Sequence, residues 1–224
     1  MSQDTRRPAR PEIAPGAMIV HHRRGTPWID ESAYVAPGAV ICGDVRIGAH
    51  SRVLFGAVVT AEGGPVEIGD HCIVMENAVV RGAPEHPTTF GDHVLVGPQA
   101  HLTGCVVEGD SRIATGAMVF NGARIGSGAE VEFHALVHVD TVIPPGTAVP
   151  MHWFAGGDPA ELVPPSDWDR IRRIMGDLDY PGTVFGVGDP DTARNGVPDM
   201  ARRYARRLGL HRQDYLLDPA HYPI

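Results

Sequence analysis

The chain has 224 residues, a formal charge of -8 and 43% hydrophobic residues, enough to bury one core with an appendage. No apolar run is long enough to span a bilayer, and the acidic balance argues against nucleic-acid binding, which needs clustered Lys and Arg. Three Cys in no paired spacing fit a reducing compartment, so cytoplasm is the expected location.

Residues 1–17 hold several Arg and Pro but no apolar signal region, so no secretory peptide is expected. Residues 1–30 read as a lead-in, with a short strand at Met18-Ile-Val-His-His22. From Val35 an aliphatic residue returns every sixth position: Val35, Ile41, Ile47, Val53 and Val59. After a small loop (Glu62 to Pro65) the pattern resumes at Ile68, Val74 and Val80. A second loop, Arg81 to Thr89, precedes Phe90, Val96 and Leu102. One step shortens to five, and the run then continues through Val107, Ile113, Val119, Ile125, Val131, Val137, Ile143 and Val149. Small residues sit four places after many of these, among them Ala39, Ser51, Ala57, Cys72, Ala78, Ala100, Ala117 and Ala135.

A period of six is neither helical nor a simple strand alternation. It is the signature of a parallel β-helix, in which each hexapeptide supplies one short strand and one corner. The expected fold is therefore all-β, a left-handed parallel β-helix over residues 31–156, where the handedness is that of known hexapeptide proteins. The branched aliphatic fills the interior, the small residue lets the corner close, and Gly43, Gly56, Gly116 and Gly122 supply permissive backbone. Residues 157–224 form a C-terminal α-helical extension, entered through Gly156-Gly-Asp-Pro-Ala160. Ser166 or Asp167 caps a first helix to about Gly176, with Trp168, Ile171 and Met175 on one face. Asp177 to Asp191 reads as loop. Asn195, Pro198 and Gly209 bracket a second helix. Its Arg202, Arg203, Arg206 and Arg207 read as a solvated face.

The period also assigns faces. Val59, Val80, Leu102, Val119 and Val137 fall on one wall, so the residues after them form an outward column: Thr60, Arg81, Thr103, Phe120, His138. On the neighbouring wall, Phe55, Glu76, Pro98, Thr115 and Phe133 sit near a corner. Successive coils lie about 4.8 Å apart, which makes Arg81 and Thr103 neighbours. Glu62 and the loop carrying His86 leave from the same edge.

Tyr34-Val-Ala-Pro37, Gly43-Asp44-Val-Arg-Ile-Gly48, Phe55-Gly-Ala-Val58, Ile68-Gly-Asp70 and Leu102-Thr-Gly-Cys105 together resemble the γ-class carbonic anhydrases, within the wider hexapeptide-transferase superfamily. The likeness covers roughly residues 30–160. It implies a homotrimer with zinc held by three His between subunits. The matching positions here are Arg81, Pro98 and Thr103, so the three zinc-ligand His are substituted. Zinc takes neutral His, thiolate or carboxylate ligands. No cofactor is therefore expected, unless His86 and His101 rebuild a relocated zinc site.

The candidate catalytic residues are Arg81, Glu62, Glu76, His86, His101 and Thr103. A guanidinium flanked by carboxylates can hold a carboxylate substrate, with Glu or His86 moving a proton; it can equally be interface glue. The leading expectation is a diverged γ-carbonic-anhydrase-like protein that binds or converts a small anionic molecule at a trimer interface without the family's zinc. Two alternatives stand beside it: a hexapeptide acyltransferase using an acyl-CoA, for which His134 or His138 would be the base, and a non-catalytic trimeric scaffold.

Overall fold

The computed structural model describes residues 11–23, 25–185, 197–218 and Tyr222. Three parallel sheets of short strands form the walls of a β-helix, with strand order stepping by one coil at a time. The wall that matters for function contains Met18–His21, Val40–Cys42, Val58–Thr60, Val79–Arg81, His101–Thr103, Met118–Val119, Leu136–Val137 and Phe154–Gly156. Antiparallel strands close both of its ends. Glu161–Val163 pairs with Phe154–Gly156, and Tyr215–Leu217 pairs with Met18–His21. These two strands, rather than coil strands, are the edges of this wall among the described residues.

Every periodic aliphatic position expected inside is buried, as are the small residues four places on. The coil begins earlier than the lead-in assignment: Glu12–Ile13, Met18–His21 and Trp28–Ile29 each join one of the three sheets. The corners demand left-handed backbone. Gly43, Gly56, Gly116 and Gly122 have φ between 67° and 84°, conformations that cost a Gly nothing in Cβ clash. The same conformation is adopted at other corners by non-Gly residues, including His50, His71 and His93. Those three rings stack in a column, with centroids 4.9 and 5.3 Å apart. Carboxylates tie adjacent coils at a neighbouring edge, where Asp70 accepts from the Ala49 N–H at 2.7 Å and Asp92 from the Asp70 N–H at 2.8 Å.

Helix α1 spans Trp168–Asp177, and the Asp167 carboxylate accepts from the Arg170 N–H at its start. Ile171 of α1 is buried against Phe154 and Val163, whereas Trp168 and Met175 are largely exposed. The stretch read as loop from Asp177 contains a short helix, α2, over Tyr180–Phe185. Asp179 stands in for a cap by accepting from the Gly182 N–H at 2.9 Å. Residues 186–191 of that stretch and the expected cap Asn195 lie outside the described residues. Helix α3 spans Val197–Leu208 and continues into a 3-10 turn over Gly209–Gln213. Among the described residues, no helix is long and apolar enough to cross a membrane. All three Cys are free and buried, and burial pushes the Cys42 and Cys72 thiols up to about 11 and Cys105 up to about 12.

Candidate functional site

The outward column is where the period puts it. Thr60, Arg81 and Thr103 are in direct register across three strands. A flat β-helix wall offers no depth of its own; depth comes from the C-terminal extension, which folds back over this column. Helices α2 and α3 and the 82–84 loop enclose a cavity of about 250 Å³ between themselves and the wall. Its polar lining is Glu62, Arg81, His101, Thr103, Asn121 and Arg207; Phe120, Tyr180, Phe185 and Tyr204 supply aromatic surface.

Arg81 is the centre of this arrangement. Its Nη1 donates to the Tyr204 hydroxyl at 2.9 Å. Its Nε lies 3.5 Å from Glu62 Oε2, close enough for charge attraction. Yet this Nε is shielded from solvent and has no hydrogen-bond acceptor. Asn121, a buried residue of the same lining, likewise has an Oδ1 without a donor. Unpaired buried polar atoms are costly and uncommon in folded proteins. Two of the residues that line the cavity therefore carry an unsatisfied buried polar atom, one a donor and one an acceptor.

The charges set the sign of what fits. Glu62 is 5% exposed and carries the cavity's one carboxylate. Arg207 is drawn in opposite it: burial pulls its guanidinium below the usual range while the Glu62 charge opposes that. The guanidinium occupies the space a side chain at Gly63 would need. His101 is held below the usual imidazole range by burial and by the Arg81 charge, so it is neutral at neutral pH; its Nε2 lies 3.0 Å from Thr103 Oγ1. Two cations and one anion leave the cavity with a surplus of positive charge.

Four of the six residues singled out from sequence thus meet here: Arg81, Glu62, His101 and Thr103. Glu76 stays on the corner and does not line the cavity. His86 does not line it either; its Cβ packs over Gly104, and the Ala83–Pro84 part of its loop faces the cavity instead. Arg207 departs from the expected solvated face, while Arg202, Arg203 and Arg206 remain exposed. Sequence reasoning missed Asn121, Tyr180, Tyr204 and Arg207. Asn121 directly follows Phe120 of the column, a signal that was present; the others come from an extension with no period to place it.

No family model matches the sequence. A carbonic anhydrase of Geobacillus kaustophilus is 31% identical over 157 residues, 70% of this chain and 83% of that protein. The chain belongs to the γ-class carbonic-anhydrase-like family. Gamma carbonic anhydrase 1 of Arabidopsis thaliana, a mitochondrial protein, is 35% identical over 143 residues. This chain spans about half the length of the curated plant relatives it matches. Among solved structures, a Bacillus cereus protein named as a candidate acetyltransferase superposes with a TM-score of 0.51 at 29% identity, covering 72% of this chain and 92% of that one.

The fit of the zinc that the γ-class resemblance implies turns on the three positions that the resemblance matches to its ligands. Arg81 and Thr103 of this column, with Pro98 at the corner, offer no imidazole, thiolate or carboxylate, and the Arg81 guanidinium brings positive charge to the place of a cation. His138, one of the two candidate bases of the acyltransferase alternative, is 3% exposed and enclosed by Phe120, Phe154 and Tyr180. Burial holds it below the usual imidazole range.

Proposed function

We propose that this γ-carbonic-anhydrase-like protein binds a small organic carboxylate bearing a hydrogen-bond donor, without the zinc of its relatives. The observation that carries this reading is that Arg81, whose shielded Nε–H has no acceptor, lines a cavity with surplus positive charge. A carboxylate accepts from Nε and a terminal nitrogen of one guanidinium as a forked pair, the strongest neutral-pH use of Arg. A hydroxyl or amine on the same ligand satisfies Asn121 Oδ1, and the aromatic lining takes its apolar part. The scaffold alternative has less support, because a cavity adjoins Arg81 and its ion pair is with Glu62 rather than Glu76.

Isothermal titration with three related probes tests the reading. Mandelate is expected to bind more tightly than phenylacetate, which lacks the hydroxyl, and both more tightly than mandelamide, which lacks the charge. Equal binding of mandelate and mandelamide, or no binding of any small carboxylate in a wider panel, would overturn it.

The protein is further proposed to assemble as a homotrimer. Phe55 and Phe133 are 52% and 46% exposed, on a corner line that also carries Pro98, and exposed apolar ridges mark association surfaces. Light scattering on the eluted protein is expected to give about three times the chain's 24.0 kDa. A Phe55→Glu/Phe133→Glu double variant is expected to elute as monomer. A wild-type monomer at micromolar concentration would count against the trimer.

A further inference from the structure

We propose that His22, Cys42, His211 and Asp214 form a metal site, of the donor chemistry suited to zinc, that fastens the C-terminal segment to the first coils. Among the described residues, these four make up the one group in which three or more such side chains converge. One donor atom from each lies within 4.8 Å of those of the other three.

The cluster stands on the same wall as the Arg81 column, with none of its four residues in the cavity lining. His22 follows the strand Met18–His21, and Cys42 ends the adjacent strand, Val40–Cys42, pointing outward in the column that leads to Thr60 and Arg81. The pairing of Tyr215–Leu217 with Met18–His21 brings the 3-10 turn and Asp214 over them. Asp214 then bridges the two imidazoles, with His22 Nδ1 at 2.6 Å from Oδ1 and His211 Nδ1 at 2.7 Å from Oδ2. The two rings stack with centroids 4.3 Å apart. His22 is 2% exposed and Cys42 6%, so neither is an incidental surface residue.

The second observation is what this arrangement leaves undone. His22 Nε2 is buried with no hydrogen-bond partner. Two imidazoles crowd one carboxylate, and a thiol lies beside them with no cation in contact. Two imidazoles, a thiolate and a carboxylate are the ligand types of four-coordinate zinc. A divalent cation here balances the charges of Asp214 and of Cys42 once its proton has left to solvent. A Cys–His–Asp nucleophile is a poorer account, because a dry, covered thiol lacks the exposed, electropositive setting that activates one. The site is independent of the carboxylate reading, and neither requires the other.

The full-length chain, stripped with chelator, is the material for the test. Zinc added back is expected to be retained at about one per chain by elemental mass spectrometry. Cobalt(II) is expected to give a thiolate-to-cobalt charge-transfer band together with the intense visible bands of a four-coordinate ion. Cys42→Ser should lose the charge-transfer band, and His211→Ala should lose stoichiometric retention. His86→Ala/His101→Ala should keep both. The wild-type cobalt spectrum needs no variant, so a misfolded mutant does not blunt the test. Metal loading should also slow amide exchange across residues 209–217 and leave the core coils unchanged. A cobalt spectrum without charge transfer, a Cys42→Ser protein indistinguishable from wild type, or failure to retain zinc would each overturn the proposal.

Discussion

Replacing Arg81 with Ala is expected to raise the Kd for mandelate by about 10–100-fold, the range set by losing a charge-assisted hydrogen bond of about 1.5–3 kcal/mol. The truncation removes the Nε–H that has no acceptor in the free protein, and with it the Nη1 bond to the Tyr204 hydroxyl and the ion pair with Glu62, so the Kd is read beside the unfolding midpoint. Arg81→Lys keeps the charge and loses the fork, and is expected to recover little of the affinity. Glu62→Gln should behave in the opposite sense. It removes the one carboxylate facing Arg81 and Arg207, so binding of a monoanion should strengthen while the folded state weakens. Calorimetry on folded variants separates this from a purely structural role. If Arg81 and Glu62 only hold the wall to the extension, both variants lower the urea midpoint and neither moves the Kd.

The contrast between wall and extension explains how much of this site was legible. A β-helix repeats one physical demand at every rung: an interior that admits only an aliphatic or small side chain, and a corner that turns through left-handed backbone. Those demands leave a period in the sequence. The period alone makes Arg81 a neighbour of Thr103 and puts Glu62 at the same edge. It says nothing about segments that do not repeat. Helix α3 looks amphipathic in sequence, but nothing in its residues states which surface it meets. Arg207 was therefore indistinguishable from Arg202, Arg203 and Arg206, although it alone of the four lines the cavity.

The His22–Asp214 contact shows the same limit more sharply, since 192 positions separate the two residues. The chain holds twelve His, and nothing in their spacing pairs His22 with His211. Their convergence occurs at the strand pairing of Tyr215–Leu217 with Met18–His21. Tyr222 reinforces that closure through a hydrogen bond from its hydroxyl to the Pro27 carbonyl. Glu76 errs in the other direction: its phase put it on the corner correctly, and its nearness to Arg81 in sequence overstated their nearness in space. Five residues across a corner change the wall a side chain faces.

The opposite face of the same strand supports the second large expectation. Leu102 lies between His101 and Thr103, both of which line the cavity, but points inward, where it is fully buried. Its register neighbours in the adjoining coils are Val80 and Val119, both also fully buried, so it fills one layer of the interior column. Leu102→Ala is expected to destabilise the fold by about 2–5 kcal/mol, the sum of lost transfer energy and the cavity left behind. The upper part of that range is favoured by geometry. Parallel strands on all three walls fix the coil spacing, so the layer cannot collapse without breaking hydrogen bonds on every side. Leu216→Ala, at an exposed position of the closing strand, removes the same atoms and is expected to cost less than about 0.5 kcal/mol. Urea unfolding with unchanged m-values reads both. A loss at Leu102 no larger than that at Leu216 would mean that the interior is not packed as tightly as the repeat implies. If Leu102→Ala left stability intact but weakened mandelate binding, the wall would be transmitting strain to the cavity rather than bearing the load of the fold.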